Sequence, residues 1–264
     1  MGTNKIIAIT GVSCIVAGLG VGFVAYAASG FDKEVIIGSD DSEKVEFTEE
    51  LEYTSIKIDV INEDVEFRVS EDGKTHIEAW DSDDIKHTVK VEDGQLTIVQ
   101  KDHRKWYEMM YLNFSFITED KDLIVELPYD EFIKLDIDST SGDIDIPSFI
   151  TAGELTVDTT SGDVTSEAVV TGSVDIDVTS GDIEVINADC DTISVDTTSG
   201  DVTVRNSSCN ELSMDTTSGD VLVEDTTVAG VAELDTTSGD ITIRRSTAAS
   251  FDTDTTSGDV DYEN

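Results

Sequence analysis

Ile193-Ser194-Val195-Asp196-Thr197-Thr198-Ser199-Gly200-Asp201-Val202-Thr203-Val204 is the stretch that decides the fold. Apolar and polar residues alternate on both sides of the glycine, which is the period of a half-buried strand. Valine, isoleucine and threonine favour strands over helices. The parity breaks in the middle. Ile193 and Val195 are odd, whereas Val202 and Val204 are even, and one straight strand cannot aim both pairs at the same core. The chain therefore bends at Ser199-Gly200, where glycine takes a positive φ. A short polar side, Arg205-Asn206-Ser207-Ser208, follows the second strand.

Thr-Ser-Gly-Asp occurs seven times, with its glycine at Gly142, Gly162, Gly181, Gly200, Gly219, Gly239 and Gly258. Successive glycines are 20, 19, 19, 19, 20 and 19 residues apart. So strict a period marks one structural unit stacked on copies of itself. The flanks repeat too, as in Leu155-Thr156-Val157-Asp158 and Leu212-Ser213-Met214-Asp215 before the glycine, or Asp240-Ile241-Thr242-Ile243 after it. A unit this short cannot bury its own apolar face, but stacked units can. The fold class is all-β, a single-stranded parallel β-solenoid (β-helix) of about seven coils of 19–20 residues, with the seven glycines as structural corners. At about 4.8 Å per coil the stack is on the order of 30 Å long. Propeller blades and sandwiches need longer units with about four strands and are excluded.

The chain divides into 1–30, a transmembrane anchor or signal segment; 31–52, an acidic spacer; 53–130, an irregular β-rich capping region; and 131–264, the repeat solenoid. Ile6 to Ala28 is apolar, uncharged and long enough to span a bilayer. Lys5 precedes it and Asp32 and Glu34 follow, so the positive-inside rule predicts one membrane pass with the C-terminal domain extracellular. Ala25-Tyr26-Ala27 also fits a signal-peptidase site, and cleavage after Ala27 releases a secreted protein. Within 53–130, Ile56-Lys57-Ile58-Asp59-Val60, Val65-Glu66-Phe67-Arg68-Val69 and Leu96-Thr97-Ile98-Val99 alternate. Glu71-Asp72-Gly73-Lys74 and Glu92-Asp93-Gly94-Gln95 read as hairpin turns. The region is expected to cap the solenoid's first edge, either as degenerate coils or as a small antiparallel sheet. The last coil shows no cap in the sequence and is a candidate surface for self-association.

The 264 residues include 58 acidic and 16 basic side chains, a formal charge of −42. That surface repels nucleic acid and anionic lipid head groups and attracts cations and basic partners; halophilic adaptation gives the same balance. Two aspartate columns run through the repeats. One is Asp138, Asp158, Asp177, Asp196, Asp215, Asp235 and Asp254; the other is Asp143, Asp163, Asp182, Asp201, Asp220, Asp240 and Asp259. Like charges stacked about 4.8 Å apart repel by about 1 kcal/mol even in water. Turn hydrogen bonds or bound cations must offset this. Calcium, the one candidate cofactor, favours clustered carboxylates, so Asp158, Asp177, Asp196 and Asp215, with Asp163, Asp182, Asp201 and Asp220, are its candidate ligands.

Paired carboxylates occur in every coil and so mark no unique catalytic cluster, which reads as a non-enzyme. The threonine ladder Thr160, Thr179, Thr198, Thr217 and Thr237 lies between charged columns, unlike a flat uncharged ice-binding face. His76, His87 and His103 show no metal-ligand spacing. Cys190 and Cys209 are 19 apart and stack in a solenoid, either as small buried thiols or as a disulfide. Lys101-Asp102-His103-Arg104-Lys105-Trp106-Tyr107 is a basic, aromatic cluster read as a hairpin tip or an anionic-surface contact.

Over residues 53–264 the chain resembles the bacterial putative-adhesin family of LiaG-like envelope proteins, a family of unknown function. The resemblance rests on the seven Thr-Ser-Gly-Asp-[Val/Ile] units, the Ile56 to Val69 strand pair, Asp93-Gly94-Gln95-Leu96-Thr97-Ile98, and Leu127-Pro128 before the repeats. It implies a cell-surface β-solenoid behind an N-terminal membrane segment, with no catalytic residues to carry over. The expectation is an adhesin-like, non-catalytic protein with an unidentified cell-envelope or surface ligand. The alternatives are a regulatory envelope-stress component acting through a membrane-protein partner, and a calcium-dependent surface element.

Overall fold

The alternation on either side of each glycine becomes two strands per coil in the computed structural model, which describes residues 42–49, 52–103, 122–128 and 131–263. The apolar segment Ile6 to Ala28 and most of the basic cluster after Lys101 lie outside the described residues. Among those described, no helix is long and apolar enough to cross a membrane. The capping region contributes β1 (Glu43–Glu49), β2 (Ser55–Val60), β3 (Val65–Val69), β4 (Thr75–Asp81), β5 (Ile85–Glu92), β6 (Gln95–Asp102) and β7 (Leu123–Leu127). The repeats contribute β8 (Glu131–Ser141) with β9 (Ile144–Ile146), β10 (Thr151–Ser161) with β11 (Val164–Ser166), β12 (Val169–Ser180) with β13 (Ile183–Ile186), and β14 (Thr192–Ser199) with β15 (Val202–Arg205). They continue with β16 (Ser208–Cys209), β17 (Glu211–Ser218) with β18 (Val221–Glu224), β19 (Thr227–Val228), β20 (Val231–Ser238) with β21 (Ile241–Arg244), and β22 (Ser250–Ser257) with β23 (Val260–Glu263).

The longer strand of each coil stacks in a 10-stranded sheet, β22-β20-β17-β14-β12-β10-β8-β2-β6-β5. The shorter one stacks in an 11-stranded sheet, β1-β4-β7-β3-β9-β11-β13-β15-β18-β21-β23. Repeat pairs with repeat, parallel and in register, as in Val157↔Ile176, Val195↔Met214 and Val204↔Val223. β16 and β19 pair as a short third side. The parity break resolves as the sequence requires: Leu155, Val157 and Val164 are all buried, as are Ile193, Val195, Val202 and Val204. The core is thus a ladder of β-branched and leucine side chains enclosed on three sides.

Glycine is needed at the first corner chiefly because the coils come too close there for a side chain. A Cβ on Gly200 would stand 1.9 Å from the carbonyl oxygen of Gly181, and one on Gly219 the same distance from that of Gly200. Gly162 has a φ of 115° as well, but Gly239 and Gly258 lie outside the left-handed range and keep the same clash. Backbone stacking is therefore the common cause, and the left-handed conformation is secondary. Inward threonines close the corner: Thr216, Thr236 and Thr255 donate to the carbonyls of Gly200, Gly219 and Gly239 in the coil before.

The second corner is built differently. Asn187, Asn206, Asp225 and Arg245 occupy the same stacked place with φ between 48° and 60°. Asparagine and aspartate tolerate this left-handed region better than other non-glycine residues. Arg245 does not share that tolerance, and its guanidinium grips Asp225 and Glu224 of the coil before at 2.6 to 2.8 Å. Just beyond, a hydroxyl ladder satisfies the buried backbone. Ala188 N–H donates to Ser207 Oγ, Ser207 N–H to Thr226 Oγ1, and Thr226 N–H to Ser246 Oγ.

At the first edge the capping region continues both sheets. β2 runs parallel to β8 and β3 to β9, forming a coil without the repeat motif, in which Glu63 lies under Gly142. β6 and β7 are parallel to β2 and β3, so a coil later in sequence stacks outside an earlier one. Antiparallel strands then end each sheet: β5 on β6, and β4 on β7 followed by β1 on β4. Asp93 and Gly94, with φ of 51° and 79°, form the tight turn of the β5–β6 hairpin. The turn at Asp72-Gly73 joins no hairpin, because β7 separates β3 from β4. The acidic segment 31–52 is likewise more than a spacer, since Glu43–Glu49 is strand β1.

Candidate functional site

The outer face of the 10-stranded sheet carries the first aspartate column. Alternation sends Val195 and Thr197 inward, so Asp196 between them points out, and parallel register repeats this in every coil. The paired rungs run Asp59↔Asp138, Asp138↔Asp158, Asp158↔Asp177, Asp177↔Asp196, Asp196↔Asp215, Asp215↔Asp235 and Asp235↔Asp254. The column is thus one rung longer than the seven motif copies. Asp59 belongs to the coil that lacks Thr-Ser-Gly-Asp, and the signal for it was its place after Ile56-Lys57-Ile58, matching Asp196 after Ile193-Ser194-Val195.

Among the described residues, cations meet this column at one end only. Lys57 Nζ lies 2.9 Å from Asp136 and 2.5 Å from Asp138, and Lys134 lies 3.3 Å from Asp136. Burial works against ionisation of Asp136, but Lys57 and Lys134 outweigh it and lower its pKa. Among the described residues no lysine or arginine pairs with Asp158, Asp177, Asp196, Asp215, Asp235 or Asp254. Partial burial and then the charges of Asp177 and Asp138 push Asp158 up. The same causes raise Asp177, Asp196 and Asp235, with the neighbouring carboxylates again adding to burial. Beside the column, Thr160, Thr179 and Thr198 help to line a shallow open groove of about 560 Å³. Such a surface suits an extended partner better than a small molecule, which needs an enclosed concave site.

The second column has a structural task. Asp201 Oδ1 accepts the backbone N–H of Asp220 at 2.8 Å, and Asp220 Oδ1 that of Asp240 at 2.8 Å. The chain of bonds begins at Asp64, which accepts from Asp143, and runs through Asp163 and Asp182 to Asp259. Each carboxylate therefore holds the first N–H after the corner glycine of the next coil. A charged acceptor on a backbone donor is stronger than a neutral pair, which offsets the repulsion along this column.

The two columns do not converge on a common ligand shell. Calcium takes six to eight oxygens, and among the described residues no group of three or more histidines, cysteines, aspartates or glutamates is arranged to hold a metal ion. Cys190 and Cys209 are buried free thiols on the third side. Burial pushes Cys190 up to about 12, with the neighbouring Cys209 adding to it, and burial alone pushes Cys209 up to about 11.

Parallel stacked coils, continued at one edge by antiparallel strands and carrying a repeated acidic face, define a class of β-solenoid repeat protein. The chain belongs to the Toastrack family, DUF4097, whose profile matches residues 53–264. Among solved structures it is similar to a "putative adhesin" from Bacteroides fragilis at 14% identity and a TM-score of 0.56, covering 85% of this chain and 98% of that one. A second "putative adhesin", from Parabacteroides distasonis, aligns at 15% identity and a TM-score of 0.42 over 85% of this chain and 98% of its own. The first likeness establishes the shared fold. No curated protein matches the chain significantly.

Proposed function

We infer that this protein is a non-catalytic, adhesin-like scaffold, held at the cell surface by its N-terminal apolar segment, that presents the first aspartate column to a cationic or cation-bridged partner. The observation that carries the reading is a contrast within the same solenoid. In the 11-stranded sheet the column Arg205, Glu224, Arg244, Glu263 alternates in sign, rung by rung. Arg205 lies between Glu184 and Glu224, and Arg244 pairs with Glu263 at 2.7 Å. In the 10-stranded sheet the aspartate column keeps one sign through every rung, although like charges directly opposite destabilise a sheet. The outward aspartates hold no corner in place, unlike those of the second column. A repeated, uncompensated charge that the fold does not use supports a role at the surface. The likeness to the Bacteroides fragilis structure described as a "putative adhesin" supports the same reading.

The test replaces Asp158, Asp177, Asp196 and Asp215 with asparagine in the full chain. Binding to polylysine-coated and heparin-coated surfaces is then compared across salt concentrations. Wild type is expected to bind the cationic surface in a salt-sensitive way, and the variant to lose most of that binding while melting no lower. Equal binding by both proteins overturns the proposal.

A further inference from the structure

A buried charge cluster joins the cap to the first coil. His87, on β5, is fully shielded from solvent in its side chain. Its Nε2 lies 2.9 Å from Glu63 Oε2 and its Nδ1 lies 2.9 Å from Asp81 Oδ1. Glu63 comes from the β2–β3 corner and is itself only 4% exposed in its side chain, and Asp81 ends β4. The backbone N–H of His87 also donates to Asp81 Oδ1, at 2.8 Å. Three segments of chain that share no motif therefore meet on one ring.

The geometry dictates the protonation state. Carboxylates face both ring nitrogens, and only the imidazolium has an N–H for each. A neutral ring would turn a lone pair toward one carboxylate inside the protein, where unpaired charge is costly. The other groups around the ring agree with a charged histidine. Lys86 Nζ sits 3.6 Å from Asp81 on the far side. Gln100, opposite His87 on β6, is neutral, and its side-chain oxygen is taken by the N–H of Ile61. Burial disfavours the charged ring, but the hydrogen bonds and charges of Glu63 and Asp81 outweigh it and raise the His87 pKa.

The position of the cluster gives it a consequence. Glu63 occupies the first rung of the glycine corner, beside Asp64, which starts the aspartate hydrogen-bond ladder. β5 covers the outer edge of β6, and β4 covers that of β7. Exposed strand edges are sites of strand addition. We propose that Glu63, His87 and Asp81 form a proton-dependent latch that holds β4 and β5 over the solenoid's first edge, and that loss of the His87 proton releases it. The sign follows from linkage. A histidine whose folded pKa is raised contributes its full stability below the unfolded value of about 6.5, and loses it as pH climbs through the folded value. The latch is closed between the ordinary carboxylate range and about pH 6.5, and opens as the pH climbs through the raised folded value of His87.

Native-state hydrogen exchange of the full chain from pH 6 to 10 tests this. Amides of β4 and β5 are referred to those of β17 and β18 in the same sample, which cancels the intrinsic pH dependence of exchange. One linked proton predicts that relative opening of β4 and β5 rises about tenfold per pH unit above about 6.5 and levels off beyond the folded pKa. His87→Gln, which keeps a polar side chain but carries no titrating proton, is expected to lose that slope. Should the variant not fold, the imidazole ¹⁵N shifts of wild-type His87 decide the matter, since the latch requires a doubly protonated ring at pH 6. A flat wild-type ratio, an unchanged slope in His87→Gln, or a neutral ring at pH 6 each overturns the proposal.

Discussion

Replacing Gly200 with alanine tests the physical basis of the solenoid most directly. The new Cβ would lie 1.9 Å from Gly181 O, 2.5 Å from Gly181 C and 3.2 Å from Asp182 N. Ordinary contact between such atoms is about 3.5 Å, so the two coils must part by more than about 1 Å locally. They are held by short bonds on either side, Gly181 N–H to Ser199 O at 2.9 Å and Ile183 N–H to Asp201 O at 2.9 Å. Weakening two such bonds costs about 1 kcal/mol each. Forcing alanine into a φ of 149° adds about 1–3 kcal/mol. The expected loss is about 4 kcal/mol, read by urea denaturation followed by far-UV circular dichroism. Gly73→Ala is the control. Its φ is 76°, but its Cβ would meet nothing within 4 Å, so only the conformational cost of about 1–2 kcal/mol applies. If the damage stays local, the same loss appears as an early transition of the adjoining coils, because solenoid repeats couple mainly to their neighbours. Losses for the two variants that agree within 1 kcal/mol would refute the stacking argument and leave only the φ preference.

Thr226→Val removes the acceptor of the Ser207 N–H in a buried position and is expected to cost about 1–3 kcal/mol in the same denaturation assay. Asp196→Asn relieves repulsion from Asp177 and Asp215, and should stabilise by about 0.5 kcal/mol at low salt and by nothing in molar salt. Because the folded pKa of Asp196 is raised above 3.8, wild type recovers stability as pH falls through it, so the difference in melting temperature is expected to close on acidification toward pH 4. With thiol pKa values of about 12 and about 11, Cys190 and Cys209 are expected to react with iodoacetamide at pH 8.5 more than about a hundredfold slower in the native state than after unfolding, as read by mass spectrometry.

The repeat region was legible because its signals are local and redundant. Alternation, the parity break at each glycine and a period of 19 to 20 residues all point to one stacked coil, and each is repeated along the chain. The outward and corner aspartates were also visible as columns, since parallel register turns sequence spacing into spatial stacking. Legibility failed where pairing leaves sequence order. Asp72-Gly73 has the composition of a hairpin turn, yet β7, more than forty residues away, inserts between the strands it joins. His87 showed no metal-ligand spacing and so carried no signal, because its partners Asp81 and Glu63 lie 6 and 24 residues before it and meet it only through the folded cap.

The sequence by itself determined the solenoid, its period, its inward and outward faces and its acidity, because each of these depends on neighbours within one coil and on exact repetition. Only the tertiary structure decided what the two aspartate columns do. The corner column accepts backbone N–H groups from the next coil, whereas the outward column faces solvent and, among the described residues, meets cations at one end alone. Both are aspartates a few residues apart in every repeat, and what separates them is the direction of a side chain after the bend. The tertiary structure also decided why glycine sits at the corner. The atom that excludes a side chain at Gly200 is a carbonyl oxygen 19 residues earlier in the chain, brought within 1.9 Å of the would-be Cβ by the stacking of coils.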